Sequence, residues 1–236
     1  MTVKTVAISQ PGYLPYPGFF DKILRSDLFV FLDSVQYARR GWDNRNRIKT
    51  DRGPMWLTVP VKAKGNYLAK LSGIEIESGQ NWIRKHLLSL ETYYRRAPYY
   101  QEVYSLIEQT LAEGHRLLID LNISLIRRFC SYMGLAPSFE IASRLDAAGK
   151  GSDLILEICR SRGCTDYLSG VFGREYLDEE SFREAGINII YQEFTPPVYP
   201  QFYGDFISSL SIVDLLFHCG PSSAGVIQHK TRITES

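Results

Sequence analysis

Apolar positions along the chain change their spacing twice. Near the amino end they come as short unbroken runs, TVAIS (residues 5–9) and LFVFLD (28–33). Runs of this length, rich in β-branched and aromatic residues and lacking polar alternation, predict strands covered on both faces. GFFDKILRSD (18–27) lies between them and has room for about two turns of helix. Strand, helix and strand make a βαβ unit, so the two strands are expected to be parallel neighbours. After a polar, basic stretch, PMWLTVPVK (54–62) predicts a third strand and KLSGIEIES (70–78) a further strand closing a loop.

From GQNWIRKHLLSLETYYRRAP (79–98) onward the period becomes helical. Ile83, Leu87, Leu90 and Tyr94 share one helical face, and QEVYSLIEQTLAEG and HRLLIDLNISLIRRFCSYMG predict two more amphipathic helices. The last of these stops at Gly134, where a helix favours glycine. The final hundred residues return to alternation. SFEIAS (138–143), TDYLSG (165–170) and INIIYQEF (187–194) predict strands, while SDLILEICRSRG and EYLDEESFREAG predict helices between them. LSIVDLLFHCGP (210–221) predicts an apolar helix stopped by Gly220 and Pro221. The fold class expected is therefore α/β, with three layers and a mostly parallel sheet that starts with the βαβ unit. A helical insert at about 78–134 is expected within one α/β domain spanning 1–236.

Composition narrows the partners. With 236 residues and 44% hydrophobic content the chain can bury a full core. Lys and Arg number 27 against 26 Asp and Glu, so no global field draws it to nucleic acid, which is not an expected partner. No membrane span is expected, because no run approaches the roughly 18 apolar residues one needs. The first residues, MTVKTVAISQ, lack a signal-peptide pattern, so a cytoplasmic location is expected. Cys130, Cys159, Cys164 and Cys219 are scattered through apolar segments and read as buried thiols, with neither a disulfide framework nor a metal site expected.

Ligands of parallel α/β sheets bind beyond the carboxyl ends of the strands. Gln10 follows the first strand, Asp33 and Gln36 the second, and Ser169 and Gly170 close TDYLSG, so these positions are expected to converge, although each also suits a cap or turn. A second candidate is RRGWDNRNRIK: between Arg39 and Arg52 stand six basic residues, with Trp42 and two asparagines interleaved. Guanidinium forks suit phosphate or carboxylate, and an aromatic ring can stack on a base or sugar. On a nearly neutral protein this local excess points to an anionic small ligand. In QPGYLPYPGFFDK the prolines and glycines predict a rigid connection that fixes Tyr13 and Tyr16 as pocket walls, with Phe19 and Phe20 packed in the core. His86 and His115 are expected on the surface of the helical block. His218, near a helix end, is a catalytic candidate that lines a pocket.

No GxSxG, HExxH, Walker or GxGxxG motif occurs, and no cofactor is expected. Nucleotidyltransferases of the HxGH type, which have a HUP-like arrangement, carry that motif after their first strand. Tyr16, Pro17, Gly18 and Phe19 stand at that place here, without either histidine.

Taken in order, QPGYLPYPGFFDKI, FLDSVQY, NRNRIK with WLTVPV, DYLSG and LSIVDLLFHCG resemble the motifs of the WbqC-like family over nearly the whole length. The last departs modestly, since His218 stands where that family more often has asparagine. The resemblance implies a role in bacterial surface-polysaccharide, lipopolysaccharide O-antigen or small-molecule biosynthesis. It implies modification of a sugar or nucleotide-sugar, with acyl or aminoacyl transfer onto an amino group as the preferred reaction. In that reading Arg40, Arg45 and Lys49 hold an anionic donor or nucleotide diphosphate, and Asp33 takes the proton of the acceptor amine. Asn44 and Asn46 then donate to the oxyanion. The alternatives are a non-catalytic subunit presenting a nucleotide-sugar or carrier protein to a partner enzyme, and a nucleotidyltransferase-like enzyme. The expected partner is thus an anionic small molecule, a nucleotide-sugar or activated acyl donor, with a carrier protein as a second candidate.

Overall fold

The first two apolar runs form β1 (Thr5–Ser9) and β2 (Leu28–Phe31), parallel and in register from Val6 opposite Leu28 to Ser9 opposite Phe31. They are joined by α1 (Pro17–Leu24). Proline suits the first helical position, where its missing N–H removes no hydrogen bond. The computed structural model describes residues 3–62, 68–78 and 81–228, together with the backbone of 232–235.

The sheet grows outward from β1 on both sides. β5 (Ser138–Ile141) pairs with β2 at one edge. On the other side β6 (Asp166–Ser169) pairs with β1, and β7 (Asn188–Glu193) pairs with β6. These five strands are parallel, and β8 (Arg232–Glu235) closes the far edge antiparallel to β7. Successive strand residues point to opposite faces, and each face has its own apolar layer. Ala7, Phe29, Phe31 and Leu168 pack with α1 and with the expected helices α2 (Trp82–Tyr94), α3 (Tyr100–Ala112) and α4 (Leu118–Tyr132), along with α7 (Ile212–Cys219). Val6, Ile8, Leu28, Val30 and Ile189 pack on the opposite face with α5 (Ser152–Arg162) and α6 (Glu179–Glu184). A short α8 (Ser223–Gln228) lies against α1. The result is a three-layer α/β arrangement. Gly134, at φ +73°, ends α4, with the Leu135 N–H donating to the Cys130 carbonyl at 2.8 Å.

Three local expectations change. The basic stretch is a strand as well as a loop: β3 (Arg45–Thr50) pairs antiparallel with β4 (Gly53–Thr58) as a separate hairpin. Asn46, Ile48, Lys49 and Thr50 are its buried positions, so little apolar signal marks it in the sequence. KLSGIEIES forms a 3-10 turn at Leu71–Gly73 with isolated bridges in place of a strand. His86 is not a surface residue; it is 5% exposed, because the buried ridge of α2 runs Trp82, His86, Leu90, Tyr94. His115 is half-buried and pairs with Glu113 at 2.9 Å. Cys130, Cys159 and Cys164 are buried and Cys219 half-buried, all as free thiols. No helix among the described residues is long and apolar enough to cross a membrane.

Candidate functional site

Numbered among themselves, the five parallel strands lie in the order 3-2-1-4-5. The order reverses between β1 and β6, and at such a switch point the connections diverge and leave a crevice beyond the strand ends. A cavity of ≈ 870 Å³ lies there, within the usual size of about 300–1,000 Å³ for small-molecule sites. Ser9 and Gln10 at the end of β1, Gly170 after β6 and the start of α5 line it. Tyr16 and Lys22 of the α1 region, Trp42 and Asp43 of the loop before the hairpin and Arg47 of β3 complete the polar and aromatic wall.

The strand pleat and the helix direction together place Lys22. Ser9 lies on the same face of β1 as Ala7, the face that carries α1. Helical side chains lean toward their N-terminus, and α1 begins close to the carboxyl end of β1. Lys22 therefore reaches back so that its Nζ donates to Ser9 Oγ. Burial pushes its pKa down to about 8, with the neighbouring Asp21 pulling in the other direction. Asp21 is itself committed, accepting from Arg25 at 2.8 Å and Gln192 at 2.6 Å. The crevice thus has an amine at its floor that is far less basic than an ordinary lysine. Asp43, also on the wall, has its pKa raised by burial, while it accepts from the Ala38 N–H at 3.1 Å.

The proline-rich connection is stitched to the loop that carries Trp42. The Tyr13 N–H donates to the Trp42 carbonyl at 3.2 Å, and Asn122 donates to the carbonyls of Pro11 and Asp43, both at 2.8 Å. A side chain at Gly12 would meet the Trp42 carbonyl at 3.0 Å, so glycine permits the approach. At Gly18 a Cβ would sit 2.3 Å from the Tyr16 ring, so the absence of a side chain lets that ring lie over the first turn of α1.

Of the residues expected at a site, Gln10, Tyr16, Asn46 and Gly170 line the crevice. Asn46 is already engaged, donating to the Leu14 carbonyl at 2.7 Å and accepting from the Arg47 N–H at 2.8 Å. The others are not in its lining, and Arg40 is exposed, at φ +63°. Asp33 accepts from the Ser143 N–H at 2.8 Å and hydroxyl at 2.5 Å. Tyr13 is fully buried, 3.0 Å from His86 Nδ1. Gln36 bridges to Lys70. Asn44 donates to the Val59 carbonyl at 2.8 Å, and Ser169 donates to the Gly170 carbonyl at 3.1 Å. Arg45 donates to the carbonyls of Arg40 and Gly41 and stacks 4.3 Å over Trp56. Lys49 is buried against Gln201 and the Asp205 carbonyl. His218 donates from Nδ1 to the Asp214 carbonyl at 2.8 Å, with its ring 4.8 Å from that of Phe202.

Sequence reasoning passed over Ser9, Lys22 and Asp43. A signal for Lys22 was present, since a lysine between Phe20 and Ile23 stands on a helix with hardly any exposed face. Among the described residues no group of three or more His, Cys, Asp or Glu side chains is placed to hold a metal ion.

Comparison with known proteins follows the same segments. The model of the WbqC-like protein family matches residues 10–225. An uncharacterized protein of Mycobacterium tuberculosis, Rv1507c, is 34% identical over 229 residues, which cover 96% of this chain and 99% of that protein. No solved structure matches.

Proposed function

Because the chain belongs to the WbqC-like protein family, we infer that it is a transferase of bacterial surface-polysaccharide or small-molecule biosynthesis. The reaction proposed is transfer of an acyl or aminoacyl group from an activated donor onto an amino group of a sugar or nucleotide-sugar, in the crevice beyond β1 and β6. The observation that carries this reading is Lys22, a buried side chain in the lining of that crevice whose Nζ donates to Ser9 Oγ, burial lowering its pKa to about 8. At pH 7.5 a group of pKa 8 is about one-quarter neutral, against ~0.1% for an ordinary lysine. The acceptor nitrogen attacks the donor carbonyl, the new C–N bond forms, and the nitrogen's proton passes to the free amine of Lys22. The donor's bond to its leaving group then breaks, and Lys22 returns the proton to that leaving group. This gives Lys22 the role that the sequence suggested for Asp33, whose carboxylate is occupied by Ser143.

The test supplies acyl-CoA and aminoacyl donors with amino-sugar and amino-sugar-nucleotide acceptors, and product is read by mass spectrometry. Expected are an acylated amine, a rate that rises with pH toward about 8, and a loss of roughly 10²–10⁴-fold in Lys22→Met. Unchanged turnover in that variant would remove Lys22 from the chemistry. Thermal stabilisation by acceptors without product from any donor would replace the enzyme with a binding subunit. Pyrophosphate release from a nucleoside triphosphate and magnesium would replace acyl transfer with nucleotidyl transfer.

A further inference from the structure

Among the described residues, the exposed aromatic side chains are Tyr16, Trp42, Trp56, Phe172 and Tyr176; the other exposed large hydrophobics are aliphatic. Four of these five line the mouth of the crevice, and the fifth, Trp56, has its ring centroid 5.2 Å from that of Trp42. Aromatic rings left in water singly need no explanation, but gathered around one cavity they mark a binding surface. Trp42 combines 53% exposure with a fixed backbone, held through its own carbonyl to Tyr13 and through the next residue's to Asn122. A backbone so held loses little freedom when the ring stacks on a ligand.

The second observation is Arg47, which also lines the crevice. Its guanidinium carbon lies 5.6 Å from the Trp42 ring and 5.7 Å from the Trp56 ring. Its Nε is sealed from solvent and has no hydrogen-bond partner among the described residues. A buried N–H without an acceptor is costly, and the planar fork of an arginine suits a phosphate. An indole face and a guanidinium whose Nε lacks an acceptor, on the same wall, present complementary features for a flat heterocycle joined to phosphate.

We propose that the mouth of the crevice binds a nucleoside diphosphate group, its base stacked on Trp42 and its phosphate on Arg47, so that the sugar of a nucleotide-sugar extends toward Lys22. This rests on the crevice being the substrate site and is independent of the reaction carried out there.

Binding to the full chain is measured by calorimetry and by quenching of tryptophan fluorescence, with uridine, thymidine, guanosine and cytidine diphosphates, uridine alone, inorganic pyrophosphate, and glucosamine 1-phosphate as probes. Saturable binding of at least one nucleoside diphosphate is expected, with the nucleoside and pyrophosphate each weaker by tenfold or more. Trp42→Ala should weaken the diphosphate and the nucleoside by about 10- to 100-fold and leave pyrophosphate unchanged. Arg47→Gln should weaken the diphosphate and pyrophosphate and leave the nucleoside unchanged. Circular dichroism and the melting temperature of each variant guard against misfolding, and Trp42→Phe should recover most of the affinity lost in Trp42→Ala. No saturable binding of any nucleoside diphosphate, or equal binding in Trp42→Ala and the wild type, overturns the proposal. Glucosamine 1-phosphate binding as tightly as the best nucleotide also overturns it, since the stacked ring would then be the sugar. Nucleotide binding without acyl transfer would leave this inference standing and remove the transferase. Acyl transfer to a free amino sugar that is indifferent to Trp42→Ala would do the reverse.

Discussion

Acidification should unfold this protein partly through one buried histidine. His86 sits on the core-facing ridge of α2, its Nδ1 3.0 Å from the buried hydroxyl of Tyr13 and its ring hydrogen-bonded to the backbone of Thr58. A neutral imidazole fills both roles with one proton. Burial drives its pKa from 6.5 down to about 4, the Thr58 contact opposing this only in part. Below pH 6.5 the unfolded chain takes up a proton at this position that the folded chain refuses, so stability is fully present above 6.5 and drains away as pH falls toward 4. The full difference corresponds to roughly 3 kcal/mol, of which ~2 kcal/mol is already lost at pH 5. That is a large part of the 5–15 kcal/mol that typically holds a domain together. Urea unfolding followed by circular dichroism at pH 7 and pH 5, on the wild type and on His86→Gln, isolates the effect. The variant is less stable at pH 7, but the gap between the two proteins should narrow by about 2 kcal/mol at pH 5. A gap that stays constant, or an assigned His86 imidazole resonance titrating near 6.5 in the folded protein, would refute the reasoning.

Three further outcomes follow from the packing. Tyr94→Phe removes the hydroxyl that donates to Asp214 at 2.7 Å and accepts from the Lys49 N–H at 2.9 Å; with the buried Lys49 N–H orphaned while Asp214 keeps its bond from Gln201, denaturant titration should show a loss of about 1–3 kcal/mol. Gly18→Ala places a methyl 2.3 Å from the Tyr16 ring and 2.8 Å from Phe194; chemical denaturation should register a cost of ~1–3 kcal/mol, and ligand binding at the crevice should weaken as Tyr16 is displaced. Asp33→Asn disturbs the cap on Ser143, so a lower midpoint in denaturant is expected with turnover kept within several-fold; a collapse of turnover at unchanged stability would return the carboxylate to the chemistry.

Much of the sheet was legible because fully covered strands write themselves as unbroken apolar runs. TVAIS and LFVFLD supply β1 and β2 in this way, whereas SFEIAS, TDYLSG and INIIYQEF supply the other parallel strands with polar residues among the apolar ones, β5 at the sheet edge being only half-covered. Helix ends announced by Gly134, Gly163 and Gly220 were legible for a comparable reason, since these positions adopt positive φ. The hairpin strand β3 was not, because its buried positions are Asn46 and Lys49 as much as Ile48. Those polar side chains are satisfied by partners distant in sequence, Leu14 and Gln201, which no local pattern displays.

The same division runs through the site. Residue order by itself determined that QPGYLPYPGFFDK would be a stiff connection beyond the first strand, and that Arg47 and Trp42 would lie in a basic, aromatic stretch. Only the tertiary structure decided which side chains face the crevice: Tyr16 lines it while Tyr13 turns inward to His86, and Ser9 and Lys22 meet at its floor while Asp33 caps a turn. The physical reason is that rigidity and charge are local properties of a segment. The burial that lowers a lysine's pKa, and the carbonyl that occupies an amide, come from elements brought alongside by the reversal of strand order between β1 and β6.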